Sequence, residues 1–352
     1  MNERPPSPPL SPGSSLGRFF IRELVGRGRS AIVYRAFDPE QRRDVALKVF
    51  SSTLPARPQA AACFDQAAAA LQGLRHPALV PILACAHEGD AYYMATDLLR
   101  GATLRDLLTA QPAGLPQDKG LDLFRQIAQG VSYMHVHDVA HGNVKPDNIF
   151  IRDEQPILTG FGLPCLNATD GGDTDAPDLG SLTYLAPEQV THHETSPRSD
   201  IYTLGIVLYE LMTGDVPFRA GTREELTYQH LYATPAPPSQ RRVGLDPRID
   251  MVVQRALSKN PRLRYLAIDD LLHDLDQGAL EAKYETVVFD KEDAREVRRQ
   301  QSEKLRNRPA SIPSPVPVEM PYAPRPRNVL PLVIGIVAVL IIVAVLAVLL
   351  VA

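Results

Sequence analysis

The stretch that decides the fold is His141-Gly142-Asn143-Val144-Lys145-Pro146-Asp147-Asn148, followed by the apolar run Ile149-Phe150-Ile151. Just before it, Leu121, Phe124, Ile127, Val131 and Met134 recur at helical spacing. That periodicity predicts an amphipathic helix that delivers the chain into the octet. A polar loop is thus held between an apolar helix face and an apolar turn.

The octet resembles the catalytic loop of protein kinases, His-Arg-Asp-Leu-Lys-Pro-x-Asn. Lys145 and Asn148 stand at their family positions, whereas Asn143 stands where the family has its catalytic aspartate and Gly142 where it has arginine. Downstream, Thr159-Gly160-Phe161-Gly162 resembles the Asp-Phe-Gly segment with Gly160 in the place of the metal-binding aspartate. Ala186-Pro187-Glu188 matches the family's Ala-Pro-Glu, and Gly180 to Tyr184 resembles the loop before it. Ser199 to Met212, apolar on nearly every side, resembles the enclosed central helix of the large lobe. The resemblance implies structural roles for Asp200, bracing the loop backbone, and for Glu188 paired with Arg264.

Upstream, Gly26-Arg27-Gly28 through Val33 resembles the glycine-rich hairpin, with Ala31 replacing the third glycine. Val45-Ala46-Leu47-Lys48 resembles the strand whose lysine reaches the nucleotide phosphates. Phe64 to Leu74 reads as a helix, and counting back from His76-Pro77 puts Ala67 where the family has the glutamate that holds that lysine. Tyr92 to Thr96 resembles the fifth strand, with Thr96 at the gatekeeper position and Asp97-Leu98-Leu99 as the hinge. A nucleotide, if used, would therefore meet Gly26, Gly28, Val33, Ala46, Lys48, Thr96, Asp97 and Leu99.

The resemblance covers about Arg18 to Gln277 and looks nearest to the membrane-attached serine/threonine kinases of bacteria. It implies an α+β, two-lobed fold with a small, mainly β lobe at about 18–97 and a large, mainly α lobe at about 98–280. A Pro/Ser-rich tail, 1–17, is expected to be disordered. A charged juxtamembrane segment, 281–308, a Pro-rich linker, 309–328, and a transmembrane anchor, 329–352, complete the chain.

Four departures bear on chemistry. An amide at Asn143 is no base at neutral pH, and losing a positioned base costs roughly 10²–10⁴ in rate. Gly160 leaves the neutral Asn148 as the one retained metal-ligand position, whereas Mg²⁺ sites use one or two carboxylates beside the phosphates. Ala67 removes the partner of Lys48, and Gly142 removes the cation on which a phosphorylated activation segment docks. That segment carries Asp170, Asp173, Asp175 and Asp178. The expectation is a pseudokinase with no intact catalytic set and no required cofactor, in which ATP binds weakly and with little dependence on metal. The alternative is an active serine/threonine kinase in which Asp147 or Asp153 substitutes.

Val329 to Ala352 contains no charged residue and would reach about 36 Å as a helix, enough to span a bilayer core. Arg325 and Arg327 precede it, so the positive-inside rule keeps the kinase-like part in the cytoplasm on a single C-terminal anchor. The N-terminus has no apolar signal segment, and the three cysteines, Cys63, Cys85 and Cys165, suit a reducing cytosol. A net charge of -4 gives no footprint for nucleic acid. The expected partners are a cytoplasmic signalling protein, such as an active kinase, and membrane lipid through the C-terminal helix.

Overall fold

The computed structural model describes residues 10–27, 31–50, 58–89, 91–161 and 179–277, with side chains in the helix from 58 described from Phe64 onward. The chain divides into Met1–Lys283 and Tyr284–Ala352, and the second part lies outside the described residues. So do Gly28, the acidic stretch 170–178, the linker and the apolar segment 329–352. Among the described residues, no helix is long and apolar enough to cross a membrane.

The small lobe is a six-stranded antiparallel sheet in the order β1-β2-β3-β4-β6-β5. Its strands are β1 (Ser15–Leu16), β2 (Phe19–Arg27), β3 (Ala31–Asp38), β4 (Arg43–Phe50), β5 (Ile82–Glu88) and β6 (Ala91–Asp97). Helix α1 (Pro58–Gln72) lies between β4 and β5 in sequence and packs on β5. It starts earlier than the expected Phe64, with Pro58 in its first turn, where proline's missing N–H costs nothing.

Alternation along the strands gives the sheet two apolar surfaces. Phe50, Cys85 and Met94 join Phe64 and Leu71 of α1 in the main core, while Leu16, Phe19, Tyr34, Leu47 and Tyr93 form a separate cluster. That second cluster corrects the expected tail boundary. Residues 10–17 belong to the folded lobe: Leu16 is buried, Ser15–Leu16 pairs with β2, and the Leu10 N–H donates to Tyr34 Oη at 2.9 Å. Composition alone reads this stretch as Pro/Ser-rich; one leucine in a tight antiparallel return is enough to anchor it.

The large lobe contains α2 (Leu104–Ala110), α3 (Gln117–Val136), the hairpin β7 (Ile149–Arg152) and β8 (Gln155–Leu158), α4 (Leu179–Leu182), α5 (Pro187–Thr191), α6 (Pro197–Thr213), α7 (Arg223–Tyr232), α8 (Pro238–Arg241), α9 (Pro247–Ala256) and α10 (Ile268–Gln277). On α3, Leu121, Phe124, Ile127, Val131 and Met134 are all buried, as their spacing predicts. Every residue of α6 from Ser199 to Thr213 is buried, so the rest of the lobe packs around it. Ser196 caps its N-terminus through the Ser199 N–H, and Gly214 ends it at φ 75°. A Cβ on Gly214 would lie 2.1 Å from the Pro112 carbonyl oxygen, so both backbone conformation and space demand glycine there.

Candidate functional site

The octet leaves α3 and turns through a single 3₁₀ turn at Pro146–Asn148. Asp200, buried in the first turn of α6, holds the start of the loop. Its carboxylate accepts the N–H groups of His141 at 2.7 Å and Gly142 at 2.8 Å. His135 Nε2 lies 2.8 Å from the same carboxylate. The helix N-terminus adds its own positive field. The sequence reading singled out Asp200 and missed His135. The available signal was a histidine four residues after Val131, on an otherwise apolar face of α3.

The His141 ring sits 5.2 Å from the Phe161 ring, and its Nδ1 accepts the Asn143 N–H at 3.3 Å. Burial, with a contribution from the Lys48 charge and against the pull of Asp200, brings its pKa down to about 4. It is therefore a neutral packing residue at physiological pH. Gln189, another residue the sequence did not flag, donates to the Gly142 carbonyl at 3.3 Å while its own oxygen accepts the Ala186 N–H. Glutamine thus ties α5 to the loop.

The two positions where the family has acids are joined to each other. Asn143 Nδ2 donates to the Gly160 carbonyl at 2.8 Å, and Asn148 Nδ2 donates to the Asn143 carbonyl at 2.9 Å. Both acceptors are carbonyl oxygens, so the amide nitrogens must face them. Gly160 has φ 73°, and a Cβ added there would lie 2.6 Å from Asn148 Cγ. Asn148 fills the space that a side chain on residue 160 would need. A resident Mg²⁺ does not fit this donor set. Gly160 offers no ligand, the Asn143 amide is committed to a carbonyl, and Asn148 could supply only one neutral oxygen where such sites use carboxylates. Among the described residues no group of three metal-binding side chains comes together.

Lys48 lies on β4 directly opposite Val33 of β3 and Met94 of β6; Ala46 is opposite Thr96, and Gly26 of β2 is opposite Val33. The sheet register thus brings together five of the expected nucleotide-facing residues. Asp97 ends β6 and is held by Arg43 Nη2 at 2.6 Å, and Leu99 packs against the main core. Lys48 Nζ donates to the Phe161 carbonyl at 3.3 Å and sits 5.1 Å from the Phe50 ring centre. Among the described residues no carboxylate pairs with it. Desolvation, and then the charge of Lys145, pull its pKa from 10.5 down to about 8. Ala67 contributes a half-buried methyl to the core, and its neighbours Asp65 and Gln66 are exposed.

Neither substitute acid stands with these groups. Asp147 lies 3.5 Å from Arg105 Nε and is half exposed. Asp153 sits with Glu154 in the β7–β8 turn at φ 50° and 63°, the conformation of a two-residue hairpin. Lys145 Nζ meets Ser181 Oγ at 3.0 Å. Beside it lies a groove of about 440 Å³ bordered by Arg105, Tyr184 and Glu210, which hydrogen-bond to one another. These three were not legible in the sequence.

Farther from the cleft, Arg264 is fully enclosed and grips Glu188 with two parallel bonds of 2.7 and 2.9 Å. Its remaining donors reach the carbonyls of Ser258, Arg198 and Lys259. Burial works to raise the Glu188 pKa, but the hydrogen bonds and charge of Arg264 outweigh it and hold the carboxyl below its ordinary value.

A two-lobed α+β domain with a lysine-bearing strand over a loop braced from the central helix defines the protein kinase fold. The protein kinase domain family matches residues 19–274, and the chain belongs to it. It is 33% identical over 265 residues to serine/threonine-protein kinase PknB of Mycolicibacterium smegmatis, covering 73% of this chain and 42% of that protein. It is 32% identical over 258 residues to serine/threonine-protein kinase PknL of Mycobacterium tuberculosis, covering 73% and 64%. The chain thus spans less than half the length of its PknB relatives. The PknI kinase domain of Mycobacterium tuberculosis superposes with a TM-score of 0.60 at 22% identity, covering 76% of this chain and 99% of that domain.

Proposed function

We propose that the chain is a pseudokinase: a kinase fold tethered to the cytoplasmic face of a membrane, acting as a scaffold or allosteric partner in phospho-signalling. The observation that carries the reading is the Asn143–Gly160 bond. An amide and a backbone carbonyl satisfy one another where phosphoryl transfer asks for a base and a metal ligand. The braces Asp200, Glu188 and Arg264 meanwhile keep full sets of partners. Tethering rests on the uncharged stretch Val329 to Ala352 with Arg325 and Arg327 before it.

The enzymatic alternative draws on the names of the relatives, which are serine/threonine kinases, and on the retained Lys145 and Asn148. The experiment that separates the two is co-purification of the full-length chain from membranes with a catalytically intact kinase. The scaffold reading expects the partner to be retained equally by wild type and Lys48→Met. Retention that requires ATP turnover and disappears with Lys48→Met favours the enzyme. Deleting 329–352 should move the chain to the soluble fraction; a chain that stays on membranes overturns the anchor.

A further inference from the structure

We propose that the exposed tyrosine pair of α7 is a docking ridge for the proline-rich arm, residues 4–9, of a second copy of this chain. The inference goes beyond the pseudokinase reading and does not depend on whether the domain transfers phosphate.

Helix α7 is held along one side. Leu226 and His230 are buried there; the His230 ring lies 5.1 Å from that of Phe218, and its Nδ1 is 3.2 Å from Tyr202 Oη. Lys259 Nζ donates to the Gln229 carbonyl at 3.0 Å. Glu224, Tyr228 and Tyr232 follow one another at four-residue spacing, which aligns them along another side. Tyr228 is 62% exposed and Tyr232 68%, and their ring centres are 5.1 Å apart. One exposed aromatic is ordinary, but two side by side form an apolar ridge of the kind that marks an interaction surface. Glu224 and Glu225, both exposed in the first turn, put negative charge at one end of it.

An aromatic ridge with an acidic end selects an extended proline-rich segment with a basic end. Prolines pack on aromatic faces at little entropic cost, because the polyproline II conformation is already that of the free segment. That conformation has no internal hydrogen bonds, so its carbonyls are free to accept from tyrosine hydroxyls. The chain carries such a segment in Arg4-Pro5-Pro6-Ser7-Pro8-Pro9, which lies outside the described residues. The lengths agree. Glu224 to Tyr232 spans about 12 Å of helix, and Arg4 to Pro8 spans about 12 Å of polyproline II. Arg4 would stand over Glu224 and Glu225 while Pro5 and Pro8, one turn apart, meet the two rings.

The arm joins the fold at Leu10, whose N–H donates to Tyr34 in the small-lobe cluster on the sheet surface opposite the main core. Helix α7 lies in the large lobe and packs on α4 and α5. Nine residues reach about 30 Å at most. An arm that short, rooted on that surface, favours the α7 of a second copy over its own. Two copies that exchange arms satisfy both ridges under one two-fold axis.

Sedimentation of the full-length chain in detergent, and fluorescence anisotropy with a labelled peptide of residues 1–12, test this. The wild type should sediment as a dimer. The Tyr228→Ala/Tyr232→Ala variant and a variant with Pro5→Ala, Pro6→Ala, Pro8→Ala and Pro9→Ala should sediment as monomers. Mixing the two variants should restore association, since one keeps the arm and the other keeps the ridge. The peptide should bind the wild type and lose about tenfold with either tyrosine removed, the scale of one interface anchor. Combining Glu224→Gln with Glu225→Gln should cost a few-fold and flatten the salt dependence. Unliganded melting of each variant verifies that it folds. Dimers that persist in either variant place the interface elsewhere and overturn the proposal. A wild type that stays monomeric while the peptide binds also overturns it, because the arm then serves its own chain. So does a peptide that binds regardless of the tyrosines, a peptide of residues 319–328 that binds the ridge in its place, or no binding at all. None of these outcomes touches the pseudokinase reading.

Discussion

Two polar sites in the same domain have met opposite fates. At Glu188 and Arg264 a buried ion pair keeps two bonds of 2.7 and 2.9 Å and three further carbonyl acceptors. At the cleft, Lys48 keeps one carbonyl at 3.3 Å and no acid among the described residues. The first arrangement holds helices together, and any loss there would expose an unpaired buried charge to a low dielectric. The second arrangement does not hold helices together, so residues without acid side chains fit there provided that their space and donors are satisfied. The Asn143–Gly160 and Asn148–Asn143 bonds supply that satisfaction. On the proposed reading, fold and reaction are separable in this chain, and the seam between them runs through the octet.

The largest effect expected from this contrast is at Arg264. Arg264→Met should destabilise the domain by about 3–5 kcal/mol, because Glu188 is left buried and ionised, as read by urea denaturation. A loss under 1 kcal/mol would mean that the pair is dispensable and the contrast false. The Glu188 carboxyl is held below its ordinary value in the fold. Its contribution is therefore present above the unfolded carboxylate pKa and is lost as pH falls through the folded one. Acid titration of the wild type should show that loss, and the Glu188→Gln variant should lack it.

Next in size is Asn143→Asp. It restores the family's residue and yet should cost about 1–3 kcal/mol, since a carboxylate oxygen replaces the N–H that faces the Gly160 carbonyl. It should also create no phosphate transfer, the metal ligand still being absent. A variant as stable as wild type would show that the amide bond is incidental.

The smallest effect has the opposite sign. Lys48→Met removes a poorly paired cation and should raise stability at pH 7 by about 1 kcal/mol. Because the folded pKa is about 8 against an ordinary 10.5, the unfolded chain binds more protons between those values. The Lys48 contribution to wild-type stability should rise with pH across that window, seen as a wild-type stability that gains on that of the Lys48→Met variant. The groups facing Lys48 include Lys145 on the loop and Cys85 on β5, whose thiol burial pushes up to about 12. Cys85 opposes this trend above about pH 9, where the folded thiol keeps a proton that the unfolded one loses, so the Lys48 contribution is read as the difference between wild type and Lys48→Met.

Much of the fold and of the site is legible in the sequence, for reasons that differ by residue. Asp200, Glu188 and Arg264 sit in local patterns whose order along the chain identifies them. The losses at Asn143, Gly160 and Ala67 were equally visible, each as a single wrong residue. What the sequence could not show is that two of those losses touch, because a bond across seventeen positions depends on where the backbone carries Gly160 at positive φ. The same limit hid His135, Gln189 and the Arg105–Tyr184–Glu210 set, which are ordinary residue types until the fold brings them together. Composition misplaced residues 10–17, because Leu16 is one apolar residue in a Pro/Ser-rich stretch and only the open face of the sheet gives it somewhere to go.

The pseudokinase reading is tested most directly by the transfer of labelled γ-phosphate from ATP by the full-length chain, to itself and to a generic protein substrate, with Mg²⁺ and with Mn²⁺. The expected result is incorporation equal to that of the Lys48→Met variant and of a blank without protein, since neither Asn143 nor Gly160 can do the work of an acid. Incorporation above the blank that disappears with Lys48→Met would contradict it and return the domain to the enzymes.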